Sequence, residues 1–327
     1  MSDGVEQGGA ASSAALRRVL TQVGGRATLD SLVNLAGADL TTLLLEVMRR
    51  RARKQTAPEL LRRYRADRFV SPADTPFPLL RDTEHRVLSA LPSEFELLTL
   101  SPVAPLGTNS VPATVDQNKV ISAIRGTEVA ADPTNALALE AAVRRAHLLS
   151  KDARSADVVR LAAIQRVVRA QPVAGQASFA HFTLAGVVSA GRDIGNSAFE
   201  RHHALEHLRF MVDAVGGIEN AHVEIGLTCL EEQFAAVAET IAAELSPRPG
   251  IVVIDDPHRT TGRGYYHGFC FRVAVVAANR RHEVGDGGFV DWTRKLLGNR
   301  KERLLISGLG IDRLAYSGQF RPPEPPT

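Results

Sequence analysis

The residues best suited to chemistry in this chain are a scattered set of arginines, aromatics and glycines. Arg169 stands at the tip of an apolar run, Val158 to Val168. An arginine on a rigid strand can grip a phosphate or carboxylate through two parallel hydrogen bonds with little reorganisation. The same residue can equally close a surface salt bridge. A turn-rich loop follows, and Phe179, His181 and Phe182 open a second apolar run. An aromatic there can stack on the flat face of a base or simply bury apolar area. Far downstream, Gly308-Leu309-Gly310-Ile311-Asp312-Arg313-Leu314 reads as a glycine-rich turn from a strand into a helix. Its two glycines let backbone approach a flat ligand, and Arg313 projects from the first helical turn. Arg263-Gly264-Tyr265-Tyr266-His267-Gly268 places two tyrosines, each with an apolar ring and a polar tip, where a strand begins. Gly285-Asp286-Gly287-Gly288 reads as a flexible turn carrying an acid, which either wraps a ligand or links two strands. A guanidinium for phosphate, a flat face for a base and open backbone are the parts of a nucleotide site.

Two other patterns compete with that reading. His203-Ala204-Leu205-Glu206-His207 is a literal H-x-x-E-H on an expected helix, and its two imidazoles share a face that could bind zinc. The neighbours Arg201 and His202 point instead to a basic, solvated helix face. The run Arg49-Arg50-Arg51-Ala52-Arg53-Lys54 could touch RNA phosphates. As a helix end it also suits the negative pole of the helix dipole.

These residues need elements to hold them. Residues 1–13 read as disordered. Residues 14–66 read as helical, with breaks at Gly24-Gly25 and near Gly37 and a helical stripe of Leu40, Leu43, Leu44 and Val47. A proline-rich linker from Ser71 to Pro78 closes a helical N-terminal region and linker, 14–75. A core follows over 76–318, and 319–327 is an extended tail. Within the core, a helix is expected from Leu79 to Leu91 and strands over Phe95–Leu100 and Val120–Ala131. Asp132-Pro133-Thr134 supplies a capping acid and a first-turn proline for a helix reaching Leu149. The strands flanking Arg169 and Phe179 come next. Then come a helix over Ser197–Val215, a strand over Val223–Thr228, a helix over Glu231–Leu245 and strands over Ile251–Ile254, Tyr265–Val276 and Leu304–Ser307. Strands follow one another without regular βαβ alternation. The expected fold is therefore α+β, an antiparallel sheet of six to seven strands flanked by helices.

The bulk numbers set limits. The chain has 327 residues, 44% hydrophobic and 23% charged, with a net charge of +3. That content supports a full core, and so small a net charge does not argue for general nucleic-acid binding. Cys229 and Cys270 are too few for a disulfide framework or a cysteine zinc site. A reducing, cytoplasmic setting is expected. The first residues lack the apolar stretch of a signal peptide, and no apolar run is long enough to span a membrane.

Taken in order, these pieces resemble the class II aminoacyl-tRNA synthetases, most closely the histidyl-tRNA synthetase subgroup with its ATP phosphoribosyltransferase regulatory subunits. The resemblance covers roughly residues 76–318. The family's second motif, Phe-Arg-x-Glu followed by Arg-Glu-Phe-His-Gln-Phe, is matched by Val168-Arg169-Ala170-Gln171 and Ala177-Ser178-Phe179-Ala180-His181-Phe182. Gly308–Leu314 matches the third motif. Arg263–Gly268 resembles Arg-Gly-Leu-Asp-Tyr-Tyr-Thr-Gly, and Gly287-Gly288-Phe289-Val290-Asp291 resembles Gly-Gly-Arg-Tyr-Asp. Ala131-Asp132-Pro133-Thr134 resembles the Arg-Pro-Glu-x-Thr turn.

The resemblance implies an ATP site, with Mg2+, formed by Arg169, Gln171, Phe179, His181, Gly308, Gly310 and Arg313. Arg169 would hold the α-phosphate, Phe179 would stack on adenine, and Arg313 would cap the other adenine face. It implies a substrate pocket from Asp132, Thr134, Ala185, Arg263, Tyr265, Tyr266, Gly287 and Gly288, with Arg169 and Arg313 as the catalytic pair. Glu283 and Asp286 are the acids available to magnesium. The first motif would fall in Leu79–Leu100 and build a homodimer. The implied activity is conversion of a carboxylate to an acyl-adenylate for transfer to tRNA or another acceptor. Several positions depart from the pattern: Gln171 replaces a glutamate, Ala185 stands where a glutamate holds the substrate amino group, and Thr261 stands at the catalytic arginine, with Arg259 and Arg263 nearby. No anticodon-binding domain is expected after Arg313. These departures fit the alternative, an inactive paralogue acting as a binding or regulatory subunit.

Overall fold

A computed structural model describes residues 14–113, 115–170, 180–216, 221–277 and 280–317. The start 1–13, the end 318–327, Gln171 and Phe179 lie outside the described residues. The chain divides into two compact units, one of residues 1–63 with 123–126 and one of 64–122 with 127–327. In the first, residues 14–22 are helical, followed by α1 (Arg26–Val33), α2 (Gly37–Arg53) and the start of α3 (Ala57–Ala66). None of these three labelled helices has a buried residue.

The second unit is built on an eight-stranded sheet. Its strands are β1 (Glu96–Leu97), β5 (Val159–Val168), β6 (His181–Arg192), β7 (Ala221–Cys229), β8 (Ile251–Asp255), β9 (His267–Ala277), β10 (Arg280–Val290) and β11 (Glu302–Gly310). They lie in the order β1-β5-β6-β11-β10-β9-β7-β8. The expectation of an antiparallel sheet holds for its centre. Each edge pair, β1 with β5 and β7 with β8, is parallel, and the sheet is one strand larger than the upper expectation. Separate from it are the short β2 (Val103–Pro105), β3 (Ser122–Ala123) and β4 (Thr127–Val129), of which β2 and β4 pair antiparallel.

Alternation along the strands sorts side chains onto two faces. One face packs against α4 (Phe77–Ala90), α6 (Ala198–Val215), α7 (Ala235–Leu245) and α9 (Ile311–Ser317), burying Val187, Ile225, Phe271 and Leu305 against Val87, Met211, Ile241 and Leu314. The other face packs against α5 (Pro133–Lys151) and α8 (Trp292–Leu297), burying Leu161, Val188 and Ile306 against Leu137, Ala141 and Trp292. The α5 helix begins as its sequence predicts, with Asp132 Oδ1 accepting from the Thr134 N–H at 2.9 Å and Pro133 in the first turn.

Arg145 fixes where α5 lies. Its guanidinium reaches Glu302 at the start of β11 through two hydrogen bonds of 2.8 Å, with neither side chain exposed. It also donates to the carbonyls of Asp157 and Ser155 at 2.6 and 3.2 Å. A buried pair is expensive to desolvate, and removing one partner strands a charge, at a cost of about 3–5 kcal/mol. The contact therefore specifies one placement of the helix against the sheet.

Three local readings need correction. Gly285–Gly288 is no turn but the middle of β10. Its glycines answer to crowding: a Cβ on Gly287 would lie 2.5 Å from Phe271, and one on Gly288 2.6 Å from Tyr266. Gly308 and Gly310 are likewise the last residues of β11, and α9 starts directly after them. The H-x-x-E-H helix is not a solvated face. His203 and His207 point into the core at 3% and 0% exposure, because α6 lies flat on the sheet. The His207 ring is held between the hydroxyls of Ser189 and Ser307 at 3.0 and 2.9 Å. His203 bonds Glu206 at 2.8 Å, and Glu206 is held by Arg160 at 2.9 and 3.1 Å.

Burial lowers the His207 pKa to about 3, assisted by His203 and Arg160 and opposed by Glu206. The unfolded chain takes up this proton near its ordinary value of 6.5, whereas the folded protein refuses it down to about 3. Stability is therefore complete above 6.5 and falls below it by about 1.4 kcal/mol per pH unit from this residue. Urea unfolding at pH 6.5 and 5 measures the slope. His207→Gln should flatten it by about 2 kcal/mol over that interval.

Candidate functional site

The α5 face of the sheet carries a recess floored by backbone. The register sets Gly186 on β6 beside Gly308 on β11, and Gly308 beside Asp286 on β10. Gly186 lies directly beneath α5, since a Cβ there would lie 2.8 Å from Pro133. A Cβ on Gly308 would meet only the Ala185 carbonyl, at 3.6 Å. The floor is thus open at Gly308, between the start of α5 and the Asp286 side chain.

The first wall is built by the end of β5 and the start of α5. Arg169 donates to the Ala131 carbonyl and to Asp132 Oδ2, both at 2.9 Å, and its guanidinium lies 5.2 Å from the centre of the Phe182 ring. The opposite wall is built by Arg259, Tyr266 and Asp286. The buried Arg259 donates to the Thr261 carbonyl at 2.8 Å, the Phe271 carbonyl at 2.9 Å and Asp286 Oδ2 at 3.0 Å. Tyr266 donates its hydroxyl to the same Asp286 oxygen at 3.2 Å. Tyr265 stands edge-on to both Tyr266 and Trp292, with ring centres 4.9 and 5.5 Å apart. The two walls share one electrostatic environment. Burial raises the Tyr265 pKa well above its usual value, Asp132 and Asp286 raise it further, and Arg169 opposes them. Burial likewise raises the carboxyl of Asp286 above the ordinary range, while Arg259 pulls it down and Glu283 pushes it up.

The residues singled out from sequence therefore divide. Arg169, Asp132, Tyr265 and Tyr266 come together around Gly308. Arg313 is exposed on the first turn of α9, and its Cβ and Cδ lie 3.6 Å from where a Gly310 Cβ would be, so its stem folds over that glycine. It makes no ion pair or hydrogen bond among the described residues. Thr134 is buried, giving its hydroxyl to Asp132 at 2.7 Å. Ala185 and Gly287 point to the opposite face. Ala185 sits in the core with Val187 and Met211, and Gly287 beneath Phe271 and Ser307. Gly288 is on the site face but covered by Tyr266. Arg263 is exposed and clamps its own loop, donating to the carbonyls of Arg259 and Pro257 at 2.6 and 2.7 Å. His181 lies outside the recess. Arg166 donates to its Nδ1 at 2.9 Å, which leaves Nε2 to donate to the Ser71 carbonyl at 2.6 Å.

Sequence reasoning did not assign Asp312 to the site; it named Arg259 only as lying near the catalytic-arginine position, and it offered Asp286 to magnesium while placing it in a turn. Asp312 accepts from the Thr183 N–H at 2.6 Å and from the Thr75 hydroxyl at 2.9 Å, fixing the helix that bears Arg313. The signal for Arg259 lay in Gly262. A Cβ there would lie 2.9 Å from Tyr266, so glycine lets the loop fold tightly enough to bring Arg259 inside. His202, His203 and Glu206 are a further group with metal-ligand atoms within 4.8 Å of one another, away from this recess.

No family model matches the sequence, and no curated protein matches it. Solved structures match its fold. Apo histidyl-tRNA synthetase from S. aureus aligns with a TM-score of 0.54 at 12% identity, covering 75% of this chain and 72% of that one. An ATP phosphoribosyltransferase regulatory subunit/histidyl-tRNA synthetase from Bacillus halodurans gives 0.53 at 15%, covering 76% and 83%. A histidine–tRNA ligase subunit from Alicyclobacillus acidocaldarius gives 0.52 at 12%, covering 75% and 94%. At such identities the shared property is the fold: the chain carries a class II synthetase-like core.

Two glycines on the site face should respond differently to a methyl group. Gly288→Ala drives a Cβ into Tyr266 and Cys270 and should lower stability by about 1–3 kcal/mol. Gly308→Ala meets only ordinary contacts and should leave the denaturation midpoint unchanged. Chemical unfolding of the two variants provides the comparison.

Proposed function

We propose that this recess binds ATP with Mg2+ and activates a small carboxylate as an acyl-adenylate, for transfer to tRNA or another acyl acceptor. The observation that carries the proposal is the pair of arginines, Arg169 and Arg259, held on opposite sides of a side-chain-free floor. A flat nucleotide needs such a floor, and a reacting phosphate needs guanidinium groups that are already in place. Arg169 is partly exposed and paired with Asp132, so it can turn from that carboxylate to an α-phosphate oxygen. Arg259 is locked by three acceptors and stabilises charge without moving. Arg313, exposed beside Gly310, is available to cap the base or reach the terminal phosphates. In the reaction, a carboxylate oxygen attacks the α-phosphorus in line and pyrophosphate leaves.

Glu283 and Asp286 are the carboxylates that fit magnesium. Glu283 is partly exposed and near enough to shift the Asp286 pKa. The ion would supply charge neutralisation between phosphate oxygens. The edge-on pair of Tyr265 and Tyr266 would border the carboxylate substrate.

Calorimetry on wild type and Arg169→Ala tests the reading. The variant should bind ATP more weakly by about 1.5–3 kcal/mol, the scale of a charge-assisted hydrogen bond. Arg51→Ala should bind ATP normally. Pyrophosphate exchange across a carboxylate panel should proceed in the wild type and be lost in Arg259→Ala. ATP binding without exchange would favour the regulatory alternative, and no ATP binding would end the enzyme reading and leave the site a relic.

The same reading includes a homodimer. The two-residue edge strand β1 and the neighbouring α4 border an apolar cleft lined by Val87, Leu88, Leu91 and Leu97. Leu88 and Leu97 stay exposed there. A two-fold contact would place the same cleft on both subunits. Light scattering at micromolar concentration should give twice the 35.2 kDa chain mass; a monomer would exclude this pairing.

A further inference from the structure

We infer that the N-terminal helical unit is a nucleic-acid docking module that grips phosphate backbone through the arginines at the end of α2 and on α3. This is independent of the ATP-site proposal.

Charge is strongly segregated along the chain. Residues 14–63 hold ten of its 39 basic side chains and four of its 36 acidic ones, a net +6 in a protein whose total is +3. Nine of the ten are arginine, the residue whose planar fork matches a phosphate. Few are neutralised. Arg49 and Arg50 share the single carboxylate of Glu46, and Arg62 lies 3.9 Å from Glu59. Among the described residues, Arg17, Arg18, Arg26, Arg51, Arg53, Lys54 and Arg63 form no ion pair. A helix C-terminus carries the equivalent of about half a negative charge, which one cation offsets. The five cations between Arg49 and Lys54, all exposed, far exceed that need.

Their placement separates nucleic acid from a membrane surface. A helix lying in a bilayer spreads its cations along the face opposite the apolar one. On α2 the stripe of Leu40, Leu44 and Val47 instead continues, at the same helical spacing, into Arg51 and Lys54. The cations are gathered at one end, followed immediately by α3, which a reciprocal Thr56–Glu59 cap starts with bonds of 2.9 and 3.4 Å. The end of α2 thus carries five cations within six residues, and Arg62 and Arg63 follow in the second turn of α3. A connection of three residues, Asn34 to Ala36, also separates α1 from α2. That is the length of the turn in helix-turn-helix modules.

The test is fluorescence anisotropy of the full chain with a labelled hairpin RNA and a labelled DNA duplex of matched length. With four phosphates contacted on duplex, affinity should fall roughly 100-fold between about 50 and about 200 mM salt. Arg50→Glu/Arg51→Glu/Arg53→Glu should weaken binding at least tenfold while leaving ATP affinity unchanged. Because a poorly folded variant would also lose binding, Asp30→Asn/Asp39→Asn is the complement, and it should tighten binding several-fold. Preference for the hairpin assigns the ligand as RNA, and preference for the duplex assigns it as DNA. The inference is overturned if neither probe binds, if the triple variant binds as well as wild type, or if anionic phosphatidylserine vesicles bind while both nucleic acids do not.

Discussion

The buried pair of Arg145 and Glu302 is the constraint on which the rest of this core turns. It joins the middle of α5 to the first residue of β11, so the helix that covers part of the site face of the sheet can be seated in one way. At its N-terminal end α5 carries Asp132, and through Asp132 the orientation of Arg169. At its C-terminal end β11 carries Gly308 and Gly310. One fully satisfied ion pair, remote from the recess, thereby sets both its wall and its floor. A hydrophobic contact of equal area would hold the layers together without fixing the slide of a helix along a sheet.

Glycine serves two opposite purposes on this sheet. At Gly287 and Gly288 it is required because neighbouring rings already occupy the space a methyl group would take. At Gly308 a methyl group would make only one ordinary contact, with the Ala185 carbonyl, and the absence of a side chain leaves the backbone uncovered. A glycine-rich segment looks the same in sequence in either case. This is why the Gly285–Gly288 stretch reads as a turn and is a strand: the pattern records missing side chains but not what replaces them.

The same distinction explains what was legible. Asp132-Pro133-Thr134 is a local signal with a local consequence, and the helix starts where those residues say. The strands around Arg169 and the helix bearing His203 follow from periodicity, and the order of the motifs carries the class of fold. The face of each strand was harder to read. Ala185 and Gly287 belong to the right segments but point into the opposite layer, because one residue of register reverses a side chain. The pairing of Arg259 with Asp286 was not legible because it spans a loop and a strand, and only the folded register brings the two together. The H-x-x-E-H pattern offers a metal-site spelling, but Ser189 on β6 and Ser307 on β11 occupy both nitrogens of His207.

The segment that precedes α4 has a consequence for how this core can be cut out of the chain. A proline-rich stretch looks like dispensable tether, and residue 76 is the natural place to sever it. Yet the Ser71 carbonyl holds His181 at the head of β6, and the Thr75 hydroxyl holds Asp312 beside Arg313. Severing at 76 would leave an imidazole N–H and a buried carboxylate oxygen without their acceptor and donor, next to the helix that presents Arg313. The apparent tether is a fitted part of the core, and its modular boundary lies upstream of residue 71.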